Sequence, residues 1–117
     1  MFPGPVTLLS FQTTVTGELA VVVLSGELDV AGASLLEHEI DRIVADHDAS
    51  DLVLDLSRLE FMDSTGLRLM VLADQRAREE GRRLSLVRGR PDVQRVFEIT
   101  RMTDRLRFVD SAAEAAE

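Results

Sequence analysis

At 117 residues the chain has the length of one domain with a single core, and its 45% hydrophobic and 29% charged residues are ordinary for a globular protein. Its formal net charge of -8, with arginine as its only basic residue besides two histidines, argues against a nucleic-acid surface and leaves room for a protein partner with a basic face. The absence of cysteine excludes disulfides, thiol catalysis and cysteine-based metal sites, and no apolar run approaches the length of a membrane span.

Pro3 and Pro5 mark a loose entry, and the segment Met1-Phe2-Pro3-Gly4-Pro5 has neither the basic nor the apolar region of a signal peptide. Thr7 to Val15 is β-prone, Thr16-Gly17-Glu18 reads as a turn, and Leu19 to Ser25 reads as the returning strand of a hairpin. The unbroken apolar run Val21-Val22-Val23-Leu24 suits a strand covered on both faces. Gly26-Glu27-Leu28-Asp29 ends it, and Leu35, Leu36, Ile40, Ile43 and Val44 then follow helical spacing from about Gly32 to Asp46.

Leu52 to Leu56 is the third expected strand, and Ser57 to Asp63 reads as a loop into a helix that stops at Gly81, a natural residue just past a helix end. Arg83 to Val87 alternates as a strand, Pro91 suits the first turn of a further helix, and Leu106 to Val109 reads as a short last strand. Ser111 with Glu114 has the spacing of a capping box for a small final helix. The order is ββαβαβα with a short β and α to follow, an α/β class in which strands separated by helices pair in parallel through right-handed crossovers. The chain reads as one domain over residues 1–117, with a core of about 6–111 and a short tail, 112–117.

The catalytic inventory is poor. His38 and His47 have no metal-ligand spacing and read as surface residues, and no nucleotide-binding or nucleophile-elbow motif is present. Asp55, Glu60 and Asp63 are close in sequence, but no histidine accompanies them. A hydrolase using Ser64 as nucleophile needs a base within reach, and neither histidine belongs to a segment expected there. No metal and no cofactor is expected.

The informative segment is Phe61-Met62-Asp63-Ser64-Thr65-Gly66-Leu67, where a strand turns into a helix. The plain reading makes Ser64 or Thr65 an N-cap worth about 1 kcal/mol. The other reading makes Ser64 a phosphoacceptor, because a helix N-terminus favours negative charge. Asp63 adds an acceptor beyond what one cap requires. Gly66 gives up roughly 1 kcal/mol of helix propensity, and its missing side chain would let a second molecule approach the backbone.

Asp63-Ser64-Thr65-Gly66-Leu67 after Leu52-Val53-Leu54-Asp55-Leu56-Ser57 resembles the signature of the STAS-domain anti-sigma factor antagonists of bacteria. Gly26-Glu27-Leu28-Asp29 resembles the family's second landmark, and Gly81 to Val87 with Val93 to Phe97 resembles its closing strand and helix. The resemblance runs from about Val6 to Ser111. It implies a four- to five-stranded mixed sheet with helices packed mainly on one face, and a cytoplasmic regulator without enzymatic activity. It further implies phosphorylation at Ser64 by an anti-sigma factor that is also a serine kinase. The unphosphorylated form binds that partner and frees a sigma factor, and a phosphatase resets the switch. The implied partner-binding residues are Asp29, Asp63, Ser64, Thr65, Gly66, Leu67 and Arg68.

No membrane or nucleic-acid partner is expected, and the expected state is a monomer or a weak dimer through the edge of the hairpin. The alternative within the family is a scaffold or binding module outside sigma control, as in a stressosome-type assembly or a lipid-transport accessory. Arg68, Gly32 and Arg101-Met102 depart from the family pattern; Gly32 stands where a residue often caps the first helix, and Arg101-Met102 where Gly-Leu is frequent.

Overall fold

The computed structural model describes residues 7–117. The proline-rich entry and the start of the resemblance at Val6 lie outside the described residues. β1 (Ser10–Thr16) and β2 (Leu19–Leu28) form the expected antiparallel hairpin. α1 (Val30–His47), β3 (Asp51–Met62), α2 (Ser64–Glu79), β4 (Arg83–Val87), α3 (Pro91–Ile99), β5 (Phe108–Val109) and α4 (Ala112–Ala115) follow. The sheet is five-stranded in the order β1-β2-β3-β4-β5, and β2 through β5 are parallel neighbours. No helix among the described residues is long and apolar enough to cross a membrane.

Alternation in β2 sends Ala20, Val22, Leu24 and Leu28 to one face, where they meet Leu36, Ile40 and Ile43 of α1, Leu69 and Met70 of α2 and Phe97 of α3 in the main core. The other face is covered only in part. There Ala115 of α4 packs with Val53, Val87 and Val109, and Arg83 and Arg107 donate to the carbonyl of Ala115 at 2.7 and 3.2 Å. Glu39 of α1 reaches the β1 edge by accepting from the Thr13 hydroxyl. The hydrogen bond from Arg42, helped by the one from Thr13, holds its carboxyl below the usual carboxylate range.

α2 stops where its sequence suggests. Gly81 has φ +71°, its N–H donates to the carbonyl of Arg78, and the N–H of Arg82 donates to that of Ala77. α3 ends the same way with Arg101 in the glycine position, at φ +60°, and with the N–H of Met102 donating to Phe97. Ser111 caps α4 by accepting from the N–H of Glu114, while Glu114 reaches back to the N–H of Asp110 and not to that of Ser111.

β3 differs most from expectation. It does not end at Leu56 with a loop through Asp63; it continues to Met62. Two register shifts against β2 each insert one extra residue into β3, between the pairs Val23–Asp55 and Ser25–Arg58, and between Gly26–Leu59 and Glu27–Phe61. The buried positions Leu56, Leu59 and Met62 are therefore three apart where a flat strand spaces them by two. β4 pairs β3 only from Asp51 to Asp55, so β2 and β3 project past it. The motif sits at the tip of that projection.

Candidate functional site

Leu28 and Met62 are register partners on adjacent parallel strands, and each strand passes through one aspartate into a helix. Asp29 is the N-cap of α1: its Oδ1 accepts from the N–H of Gly32 at 2.9 Å, and its carbonyl accepts from that of Ala33 at 2.8 Å. Asp63 is the N-cap of α2: its Oδ1 accepts from the N–H of Thr65 at 2.9 Å and of Gly66 at 3.1 Å. The N–H of Asp63 donates to the carbonyl of Leu28 at 3.4 Å, so the two caps are stitched together through the sheet.

This corrects two capping assignments. Gly32 does not cap α1; it is a donor inside the first turn, served by Asp29. Ser64 and Thr65 do not cap α2, because Asp63 holds the extended N-cap position before them and its carboxylate accepts from the first-turn donors. Ser64 is the first helical residue. It is exposed, and its hydroxyl makes no hydrogen bond among the described residues. The cap also uses the first-turn donors. With Thr65 and Gly66 bonded to Asp63, an anion on Ser64 finds only the N–H of Ser64 itself free in that turn.

Gly66 is also corrected. It offers no clearance to a second molecule, because it is buried. A Cβ there would lie 2.6 Å from Cγ of Met62 and 2.9 Å from Cγ of Leu28. The close approach is internal: the first turn of α2 presses onto the ends of β2 and β3. Leu67 is partly buried against the core, Thr65 is half-buried, and Arg68 is exposed without an ion pair among the described residues. Asp29, Asp63 and Ser64 are thus brought to one end of the sheet, with Arg68 one turn along α2 from Ser64.

Two apolar residues at this end have no role in the sequence reading. Val30, the first residue of α1, is 68% exposed, and Phe61, in β3 just before the motif, is 46% exposed. Val30 stands ahead of the buried stripe that begins at Gly32 and Ala33, and that was the available signal. Phe61 owes its exposure to the second bulge of β3, after which it pairs with Glu27. The histidines are both exposed, and no group of acidic and histidine side chains among the described residues could hold a metal ion. Asp55 is engaged locally, accepting from the N–H of Ser57 at 2.9 Å.

The model of the STAS domain matches residues 10–115. The chain is 39% identical over 69 residues to the anti-sigma-F factor antagonist RsfB of Mycobacterium tuberculosis, a match that spans 57% of this chain and only 56% of RsfB. It is 35% identical over 82 residues to the putative anti-sigma factor antagonist BtrV of Bordetella bronchiseptica, with 70% of each chain covered. Among solved structures it resembles an anti-sigma factor antagonist from Mycobacterium paratuberculosis, with a TM-score of 0.80, 28% identity and 92% and 91% of the two chains covered. It also resembles unphosphorylated SpoIIAA, with a TM-score of 0.77, 26% identity and 92% and 93% covered. The family-model match over residues 10–115 and these likenesses show that the chain belongs to the STAS domain family.

Proposed function

We propose that the protein is an anti-sigma factor antagonist, a regulatory binding protein rather than an enzyme, whose docking on an anti-sigma factor is switched by phosphorylation of Ser64. The observation that carries the reading is the free hydroxyl of Ser64 at the first position of α2, with the capping work done by Asp63. A hydroxyl that is exposed and structurally unemployed can be modified without dismantling the helix. The names of the relatives support the partner class, and SpoIIAA, similar in fold, has been solved in both unphosphorylated and phosphorylated forms.

The chemistry of the switch follows from the cap. A phosphate brings roughly -1.5 to -2 charges to a site where Asp63 already occupies two backbone donors. It therefore projects outward, beside Asp29 and Asp63, where any partner surface has to desolvate it. Without phosphate, the end of the sheet offers Val30, Phe61 and a neutral hydroxyl to a partner. The switch works through the charge of the interface and leaves the fold alone. The kinase is the anti-sigma partner itself, a phosphatase reverses the reaction, and the setting is cytoplasmic.

Incubation of the purified chain with ATP and each candidate anti-sigma kinase of its genome, followed by intact mass and peptide mapping, tests the reading. One phosphate on Ser64, absent from Ser64→Ala, is expected, together with capture of the kinase by the unmodified chain only. Absence of that phosphate with every such kinase would refute it.

A further inference from the structure

An apolar concavity lies away from Ser64, in the groove between α1 and α2. Its volume is about 120 Å³, and its apolar lining is Ile40, Val44, Leu52, Leu69, Leu72 and Ala73. An apolar cavity of about 150 Å³ takes benzene, so this one has the capacity of a single large side chain. Leu72 stands at its margin, 49% exposed.

The rim is acidic. Glu37, Asp41 and Glu80 line it together with Arg76 and Arg82. Both guanidiniums are already spent: Arg76 pairs with Asp41 and Glu80, and Arg82 pairs with Asp48 and Glu80. Glu37 has no ion pair among the described residues. The lining of the groove thus sets three carboxylates against two guanidiniums. α1 and α2 both start at the tip of the sheet, so they run parallel and their C-terminal ends, at His47 and Glu79, lie together at this end of the groove. Each such end adds a partial negative charge of about half a unit. An apolar socket within a negative rim selects an apolar anchor flanked by cations.

We propose that the groove between α1 and α2 is a docking site for a cationic amphipathic peptide segment of a partner protein, which seats one large apolar side chain between Ile40 and Leu72 and sets arginine or lysine against the Glu37 side of the rim. The site is independent of the switch at Ser64. Leu69, at the near end, lies about 7.5 Å from Ser64 along α2, and Leu72 to Glu80 lie roughly 12–24 Å away, at 1.5 Å per residue. From Leu72 onward that exceeds the Debye length of about 8 Å at physiological salt, so a phosphate on Ser64 does not gate the anchor's seat at Leu72.

The test is an amide-resolved NMR titration of the full chain with three short amidated peptides. One carries arginines around a central leucine stripe, one has glutamate in place of arginine, and one has alanine at the central leucine. The arginine peptide is expected to shift Ile40, Val44, Leu69, Leu72 and Ala73, and to bind at least about tenfold tighter than either of the others. Leu72→Glu should weaken it by a similar factor, Glu37→Gln by a few-fold, and Ser64→Glu not at all. Leu72→Ser serves if circular dichroism shows Leu72→Glu to be misfolded. Shifts spread over the acidic surface, indifference to both Leu72 changes, or equal binding of the alanine peptide would overturn the proposal. Loss of binding in Ser64→Glu would also overturn it, whatever becomes of the phosphorylation reading, which is judged on the Ser64 phosphate itself.

Discussion

The N–H of Gly66 donates to Oδ1 of Asp63 at 3.1 Å, and this one bond joins a buried glycine to the carboxylate beside an exposed serine. Asp63 holds the first turn of α2 from outside, and Gly66 lets that turn sit down on Leu28 and Met62 from inside. Ser64, between them in sequence, is held in place while its own side chain remains unengaged.

The cap should be measurable. Asp63→Ala removes the acceptor for two backbone donors and is expected to cost about 1–2 kcal/mol. Asp63→Asn, which keeps an acceptor oxygen, should cost less than half of that. Urea unfolding of the three proteins gives the comparison, and equal stability of wild type and Asp63→Ala would contradict the assigned cap.

Gly66→Ala sets two effects against each other. Alanine gains roughly 1 kcal/mol of helix propensity. The added methyl group meets Met62 and Leu28 at contact distances of 2.6 and 2.9 Å, and Leu28 is fully buried. Overpacking of this kind costs about 1–3 kcal/mol, so a net loss is expected, larger again for Gly66→Val. A thermal midpoint raised by Gly66→Ala would show that the contact yields more easily than the geometry indicates.

Phosphorylation of Ser64 should leave the far-ultraviolet circular dichroism spectrum unchanged while weakening capture of the anti-sigma partner by about 100-fold or more. A 100-fold loss is about 2.8 kcal/mol, just under the roughly 3–5 kcal/mol of an uncompensated buried charge. Isothermal titration of both forms checks the affinity. Helices or strands that rearrange on phosphorylation would mean the switch acts through the fold instead of the interface.

Arg68 is one helical turn from Ser64, exposed and without an ion pair among the described residues. In the phosphorylated protein it is the cation within reach on the same helix face. Arg68→Ala should therefore change the stability of the unmodified chain by less than about 0.5 kcal/mol, and that of the phosphorylated chain by about 0.5–1 kcal/mol. Identical unfolding midpoints for the two phosphorylated proteins would remove Arg68 from the site.

Arg101 takes the left-handed position that closes α3, at φ +60°. A side chain there costs about 1 kcal/mol relative to glycine. Arg101→Gly is expected to recover most of that, less what glycine adds to the flexibility of the unfolded chain, for a net gain of about 0.5 kcal/mol by denaturant unfolding.

Much of this architecture is local in origin and can be read locally. The alternation of β2, the 3.6-residue stripes of α1 and α2, Gly81 past the end of α2 and Pro91 at the start of α3 each depend on neighbours within a few residues, so element order and class follow from the chain itself. The segment Ser57 to Met62 was not legible in the same way. Its buried residues recur every third position because two bulges turn the strand, and a bulge exists only with a partner strand to be out of register with.

The site divides along the same line. Asp63-Ser64-Thr65-Gly66 at the start of a helix is visible in the sequence, and so is a hydroxyl where negative charge is favoured. Which of three adjacent side chains caps the helix depends on backbone angles, and those are set by how β3 delivers the chain into α2. Whether a glycine opens a surface or closes a contact depends on what lies across from it, and Leu28, 38 residues earlier in the chain, reaches Gly66 only through the parallel pairing of β2 and β3. The sequence by itself determined the order and class of the elements and a hydroxyl at a helix start. The tertiary structure decided that Asp63 and Gly66 serve the fold, which leaves Ser64 free for something else.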